Sequence, residues 1–224
     1  MDEETLKLLT DLHTNNHRQG PGSETAFARA LELSGIDISA PLEIADIGAG
    51  TGSATIPLLK NTKANLTAVD LLPDFLNKLK SKAEAVGVVH RLQTVQADMA
   101  DLPFTDEQFD AIWSEGAIYN IGFGTGVKNW KKFLKPGGIL VASEITWTQA
   151  DVPEELKAHW EHEYPEVGRA SSKIAVLEEN RYSPVGYFTL GPDCWLENYY
   201  EPIQDNLVAF VERNGNSDKA KGGS

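Results

Sequence analysis

An α/β fold, doubly wound and Rossmann-like, with a mostly parallel sheet and helices on both faces, is what this sequence predicts. Three observations predict it. Between about residue 42 and 147, short apolar runs alternate with amphipathic stretches, the order of strands and crossover helices in a parallel sheet. The first run, Ile44-Ala45-Asp46-Ile47, passes directly into Gly48-Ala49-Gly50-Thr51-Gly52. About twenty residues later a second run, Leu66-Thr67-Ala68-Val69, ends in the carboxylate of Asp70.

Taken in order, 3–12 and 23–33 read as helices, joined by a polar, glycine-bearing connection that runs to Gly22. Strands are expected over 42–47, 66–70, 91–96, 109–114 and 139–146. Phe75, Leu76, Leu79, Ala83 and Val86 recur at helical spacing, with Pro73 at a helix start and Gly87 at its end. Lys135-Pro136-Gly137-Gly138 supplies a breaker and tight turn before the fifth strand. Further on, 153–164, 169–180 and 203–213 look helical, and 185–190 looks like a strand.

Composition removes several classes of function. With 33 acidic against 20 basic residues the net charge of -13 repels a phosphate backbone, so nucleic acid is not the expected partner. No run approaches the roughly 18 apolar residues that cross a bilayer. The acidic start Met1-Asp2-Glu3-Glu4 lacks the basic region of a secretory signal. The single cysteine, Cys194, forms no intrachain disulfide and reads as a packed thiol; a cytoplasmic protein is the expectation. His159, His162 and Glu163 share a helix without any further ligand motif, and no metal site is expected.

The glycine loop meets two physical needs: the chain must turn sharply with unusual dihedrals, and a ligand must approach where a Cβ would intrude. A carboxylate ending the next strand, Asp70, can accept from both ribose hydroxyls of an adenosine. Two adenosine cofactors remain. A dinucleotide site wants G-x-G-x-x-G, but the sixth position here is Ser53, and Asp46 beside the loop suits an ammonium group better than a diphosphate. S-adenosylmethionine is favoured over NAD.

At this point five motifs stand in order: Asp46-Ile47-Gly48-Ala49-Gly50-Thr51-Gly52, Val69-Asp70, Gln96-Ala97-Asp98-Met99-Ala100-Asp101-Leu102-Pro103-Phe104, Phe109-Asp110-Ala111-Ile112-Trp113-Ser114 and Leu134-Lys135-Pro136-Gly137-Gly138. Across 42–147 they resemble the class I S-adenosylmethionine-dependent methyltransferases, in particular the small-molecule type related to quinone-biosynthesis enzymes. The resemblance implies Asp46 near the methionine amino group, Gly48 and Gly50 against the cofactor, and Asp70 on the ribose. It also implies Asp98 accepting from the adenine amino group and Met99 offering its backbone N–H and an apolar surface. Leu71 and Ser114 complete that set. The segments 113–122 and Gln19-Gly20-Pro21-Gly22-Ser23 look like those of other bacterial methyltransferases, which puts Gln19 and Gly20 over the cofactor. S-adenosylhomocysteine is the product this implies.

A sulfonium methyl is already activated, so alignment and exclusion of water matter most and a general base is optional. Glu115 and Tyr119 follow the fourth strand, whose carboxyl end opens on the cleft, and are the candidate catalytic residues. A helix cap for Glu115 and a packed wall for Tyr119 are the competing readings. Glu144 and Trp147 hold the end of the fifth strand.

One domain with four parts follows: 1–34, N-terminal helices covering the cofactor site; 35–150, the cofactor-binding core; 151–213, the C-terminal part with substrate-side elements; and 214–224, a small, polar tail expected to be disordered. The family's final strand is unaccounted for: either it is missing, or 195–200 fills it. A missing strand leaves an edge that a homodimer partner covers. The expected activity is methyl transfer to a small molecule; the alternatives are an NAD-dependent oxidoreductase and a non-catalytic binder of S-adenosylmethionine.

Overall fold

The computed structural model describes residues 2–14 and 16–221. Helices α1 (Glu3–Thr14) and α2 (Glu24–Ser34) lead into β1 (Glu43–Ile47), α3 (Thr55–Asn61), β2 (Asn65–Asp70), α4 (Pro73–Ala85) and β3 (Leu92–Gln96). Then come β4 (Phe109–Ser114), α5 (Phe123–Trp130) and β5 (Leu134–Ala142). The five strands pair in parallel in the order β3-β2-β1-β4-β5. Chain order reverses between β1 and β4, which opens a crevice at their carboxyl ends.

Strand alternation divides the core into two layers. Ala45, Ile47 and Ile112 face α5, where Phe123, Val127 and Trp130 are buried. Ile44, Ala111 and Trp113 face the opposite side, against Phe27 of α2 and Leu58 and Leu59 of α3. Ser23 caps α2, its Oγ accepting from Ala26 N at 3.1 Å, and Gly35 closes the helix in the left-handed region at φ 64°.

The first four strands fall within a residue of their expected bounds, and the fifth differs. β5 starts at Leu134, which pairs with Phe109; the register then shifts, so 135–138 form an irregularity inside the strand and not a turn ahead of it. It ends at Ala142, and β6 (Thr146–Trp147) pairs separately with β7 (Gly168–Arg169).

The remainder is helical: α6 (Glu154–Glu163), α7 (Ala170–Glu179), α8 (Pro192–Trp195), a π-helical turn (Leu196–Tyr200), α9 (Glu201–Arg213) and α10 (Asp218–Lys221). Three expectations are corrected here. Segment 185–190 forms no strand. It packs on α2, with Phe188 under the Arg29 guanidinium at 4.7 Å, and adds no strand beside β5. Segment 195–200 is helical, because Pro192 starts a helix and the chain continues it. The tail is folded through 221, with Ala220 2% exposed; 222–224 lie outside the described residues. Among the described residues, β5 is therefore one edge of the sheet and β3 the other.

Candidate active site

The glycine loop after β1 is held by protein groups throughout. Gly48, Gly50 and Gly52 have φ of 77°, 54° and 94°, in the region that favours glycine. A Cβ on Gly48 would stand 2.2 Å from the Ala117 Cβ, one on Gly50 2.6 Å from Gln19 Oε1, and one on Gly52 2.3 Å from Leu79 Cδ1. The close approaches these glycines permit are thus to the protein's own neighbours. Five consecutive amides are also engaged. Gly48 N and Ala49 N donate to Val69 O, Gly50 N to Asp70 Oδ2, Thr51 N to Gln19 Oε1 and Gly52 N to Ala49 O, at 2.8–2.9 Å. A diphosphate needs free amides here, and 48–52 leave none.

Beside the loop, at the switch point, lies a cavity of about 460 Å³. Val69, Asp70, Leu71, Leu72 and Phe75 line it from β2 and α4, and Ala97, Asp98 and Met99 line it after β3. Glu115, Gly116, Ala117 and Tyr119 line it after β4, and Arg18, Gln19 and Gly20 from the connection before α2. Of the twelve residues singled out from the sequence as cofactor-binding or catalytic, these walls and the loop bring together Gln19, Gly20, Gly48, Gly50, Asp70, Leu71, Asp98, Met99, Glu115 and Tyr119.

Two are not on the wall. Ser114 is fully buried, and its hydroxyl donates to Ile47 O at 2.9 Å, tying β4 to β1. Asp46 shares the strand face of Ile44, which turns it toward α3, where it accepts from Thr55 Oγ1 at 2.5 Å. Asp46 is 1% exposed; burial first, then the nearby Glu115 and Asp70 carboxylates, push its pKa up to about 7 against the hydrogen bond from Thr55. It lies one layer beneath the cavity floor.

Asp70 accepts from Gly50 N and, through Oδ1, from Leu72 N at 2.9 Å; burial raises its pKa against these bonds. Asp98 accepts from Ala100 N at 2.8 Å in a local turn. Met99 O accepts from Trp130 Nε1 at 3.0 Å, which anchors that wall to α5.

Glu115 neither stands free nor caps a helix. Its Oε1 accepts from Trp113 Nε1 at 2.9 Å and its Oε2 from Arg18 Nη2 at 2.5 Å. Arg18 was invisible in the sequence, one cation in a polar connection; here it is 5% exposed, lines the cavity and keeps a buried Nε with no partner. Tyr119 lies edge-on to Tyr164, ring centroids 6.2 Å apart, and burial raises its pKa so that the hydroxyl keeps its proton.

Behind Tyr119 the C-terminal part contributes a buried ion pair. Lys173 Nζ lies 2.6 Å from Glu144 Oε1, which also accepts from the Tyr164 hydroxyl at 2.6 Å. Phe123 N donates to that same hydroxyl at 3.3 Å and Gly124 N to Glu166 Oε2 at 3.0 Å, satisfying the start of α5. Among the described residues no group of three or more His, Cys, Asp or Glu side chains is placed to hold a metal ion.

A parallel sheet in this order, a glycine loop at its switch point and an acid ending β2 define a Rossmann-like nucleotide-cofactor domain. The chain matches, over residues 44–138, the family model described as a methyltransferase domain. It is 30% identical over 118 residues to a sterol 24-C-methyltransferase of Gibberella zeae, covering 52% of this chain and 30% of that one. It is 27% identical over 183 residues to a demethylmenaquinone methyltransferase of Tropheryma whipplei, covering 80% of this chain and 68% of that one. A methyltransferase structure from Thiobacillus denitrificans, solved with S-adenosyl-L-homocysteine, superposes with a TM-score of 0.83 at 20% identity, over 96% of this chain and 86% of the other, a likeness of fold. The chain spans 30% to 68% of the length of these curated relatives.

Proposed function

We propose that this protein transfers a methyl group from S-adenosylmethionine to a small-molecule acceptor. The observation that carries this reading over a nicotinamide-linked one is the glycine loop, whose amides from Gly48 to Gly52 are all engaged while an acid, Asp70, ends the neighbouring strand. The cavity is of the size that holds a cofactor of this kind, in the roughly 300–1,000 Å³ range of small-molecule sites.

S-adenosylmethionine, when bound, supplies a methyl group activated by its sulfonium. Asp70 holds the ribose hydroxyls with Leu71 beside them, Asp98 and the Met99 N–H hold the adenine, and Met99 gives it an apolar face. Arg18 offers its unpartnered Nε to the methionine carboxylate, and Asp46 stands as a buried acid beneath the amino group. Glu115 acts through Arg18, holding the guanidinium in place. Tyr119 walls the acceptor side as a neutral hydroxyl able to donate. With the connection 16–23 as cover, these residues align the acceptor and exclude water; alignment is worth about 7–11 kcal/mol of barrier.

The net charge of -13 argues for a small acceptor and against nucleic acid. No helix among the described residues is long and apolar enough to cross a membrane. A cytoplasmic setting rests on the lone cysteine, and self-association belongs at the open β5 edge. Incubation with S-adenosylmethionine and a pool of cellular small molecules is expected to release S-adenosylhomocysteine together with one methylated compound. Binding of the cofactor without release of that product from any pool would leave a binder, not an enzyme.

A further inference from the structure

The connection 16–23 bridges the cleft. Gln19 Oε1 accepts from Thr51 N of the glycine loop at 2.8 Å, Arg18 pairs with Glu115 after β4 at 2.5 Å, and a Cβ on Gly20 would lie 3.6 Å from the Gly116 Cα. A ligand whose methionine end lies between the two loops lies beneath this strap. On its other side the strap is braced by the far end of the chain. Gly22 N donates to Cys194 O at 3.2 Å, Ser23 Oγ lies 3.5 Å from Cys194 Sγ, and Asn206 Nδ2 of α9 donates to Asn16 Oδ1 at 2.8 Å.

The ties to the cleft are polar and few, and buried polar groups are left over. Asn16 and Arg18 are 4% and 5% exposed, yet Asn16 Nδ2 and Arg18 Nε have no partner. Each such group is costly to bury, so the closed strap is only modestly favoured until something satisfies them. Cys194, the one cysteine of the chain, is 1% exposed where α8 meets the strap.

We infer that the strap 16–23 is the door of the cofactor site, held shut by Arg18 and Gln19 from within and by α8 and α9 from without, and that its opening uncovers Cys194. This rests on the cofactor reading above. The C-terminal helices, though they line none of the cavity, set how often the door opens.

The rate at which 5,5′-dithiobis(2-nitrobenzoic acid) modifies Cys194 tests this in the full chain. Saturating S-adenosylhomocysteine is expected to slow the reaction at least about tenfold, because the ligand meets Arg18, Gln19 and Gly20 only when the strap is closed. Without ligand, Asn206→Ala is expected to quicken it about fivefold, the equivalent of one hydrogen bond, and Glu115→Gln by about tenfold or more. Urea unfolding of each variant separates local opening from general destabilisation. The inference is overturned if S-adenosylhomocysteine binds by calorimetry and leaves the rate unchanged. It is equally overturned if both variants react at the wild-type rate, or faster only in proportion to their loss of global stability. If the ligand does not bind, the cofactor reading fails and the strap is judged on the variants alone.

Discussion

Asp46 is a carboxylic acid with almost no access to water, and it titrates near neutrality where an ordinary aspartate titrates near 3.8. Between those values the folded chain holds a proton that the unfolded chain has released. Stability therefore falls as pH rises from about 4 through 7, the contribution being complete below 3.8 and lost above 7. Melting curves of the ligand-free protein should show Asp46→Asn losing less stability than the wild type across that window; parallel curves would remove Asp46 as the source. Asp70 has a different role. Asp70→Ala should weaken S-adenosylhomocysteine binding at least about tenfold, since each charge-assisted hydrogen bond contributes roughly 1.5–3 kcal/mol. An unchanged dissociation constant would sink the ribose assignment. Asp70 was legible in the sequence because an acid ending a strand has one place to go. Asp46 and Ser114 were legible as motif positions, but their side chains bond to Thr55 of α3 and to Ile47 O and are not part of the cavity wall.

Among the elements, β1, β2, β4 and α4 could be read from alternation and helical spacing because each buries its own apolar pattern locally. Segment 185–190 carries the same pattern without the position: its partner is α2, and Val185 and Tyr187 are 71% and 68% exposed. The Glu144–Lys173 pair shows what sequence spacing conceals. It joins the end of β5 to α7, with side chains 7% and 8% exposed, and through Tyr164 it fixes the start of α5 behind Tyr119. Removing one partner strands the other charge in the interior. Lys173→Met is expected to cost about 3–5 kcal/mol by urea unfolding, and Lys173→Met with Glu144→Leu less than Lys173→Met alone. A double variant weaker than the single one would mean the pair itself, and not the stranded charge, carries the stability.

Over the whole molecule the two ends of the chain meet. Arg213 lies 3.2 Å from Asp11, Asn214 Nδ2 donates to Asp11 at 2.7 Å, and Lys219 reaches Glu4 at 2.6 Å. These contacts contribute little each, but they seat the C-terminal helices on α1, while Asn206 and Cys194 join them to the strap. Contacts across some two hundred residues leave no trace in local periodicity, which is why the tail read as disordered and the strap's outer brace went unseen. The core itself could be read as a whole because its five motifs occur in an order that one sheet topology accommodates.

The central claim is that the cavity beside Gly48–Gly52 takes a methyl donor and not a dinucleotide. Titration calorimetry of the intact chain with S-adenosylhomocysteine and, separately, with NADH tests it most directly. One S-adenosylhomocysteine per chain and no heat from NADH is the result expected; saturable NADH binding, with none for S-adenosylhomocysteine, would contradict it.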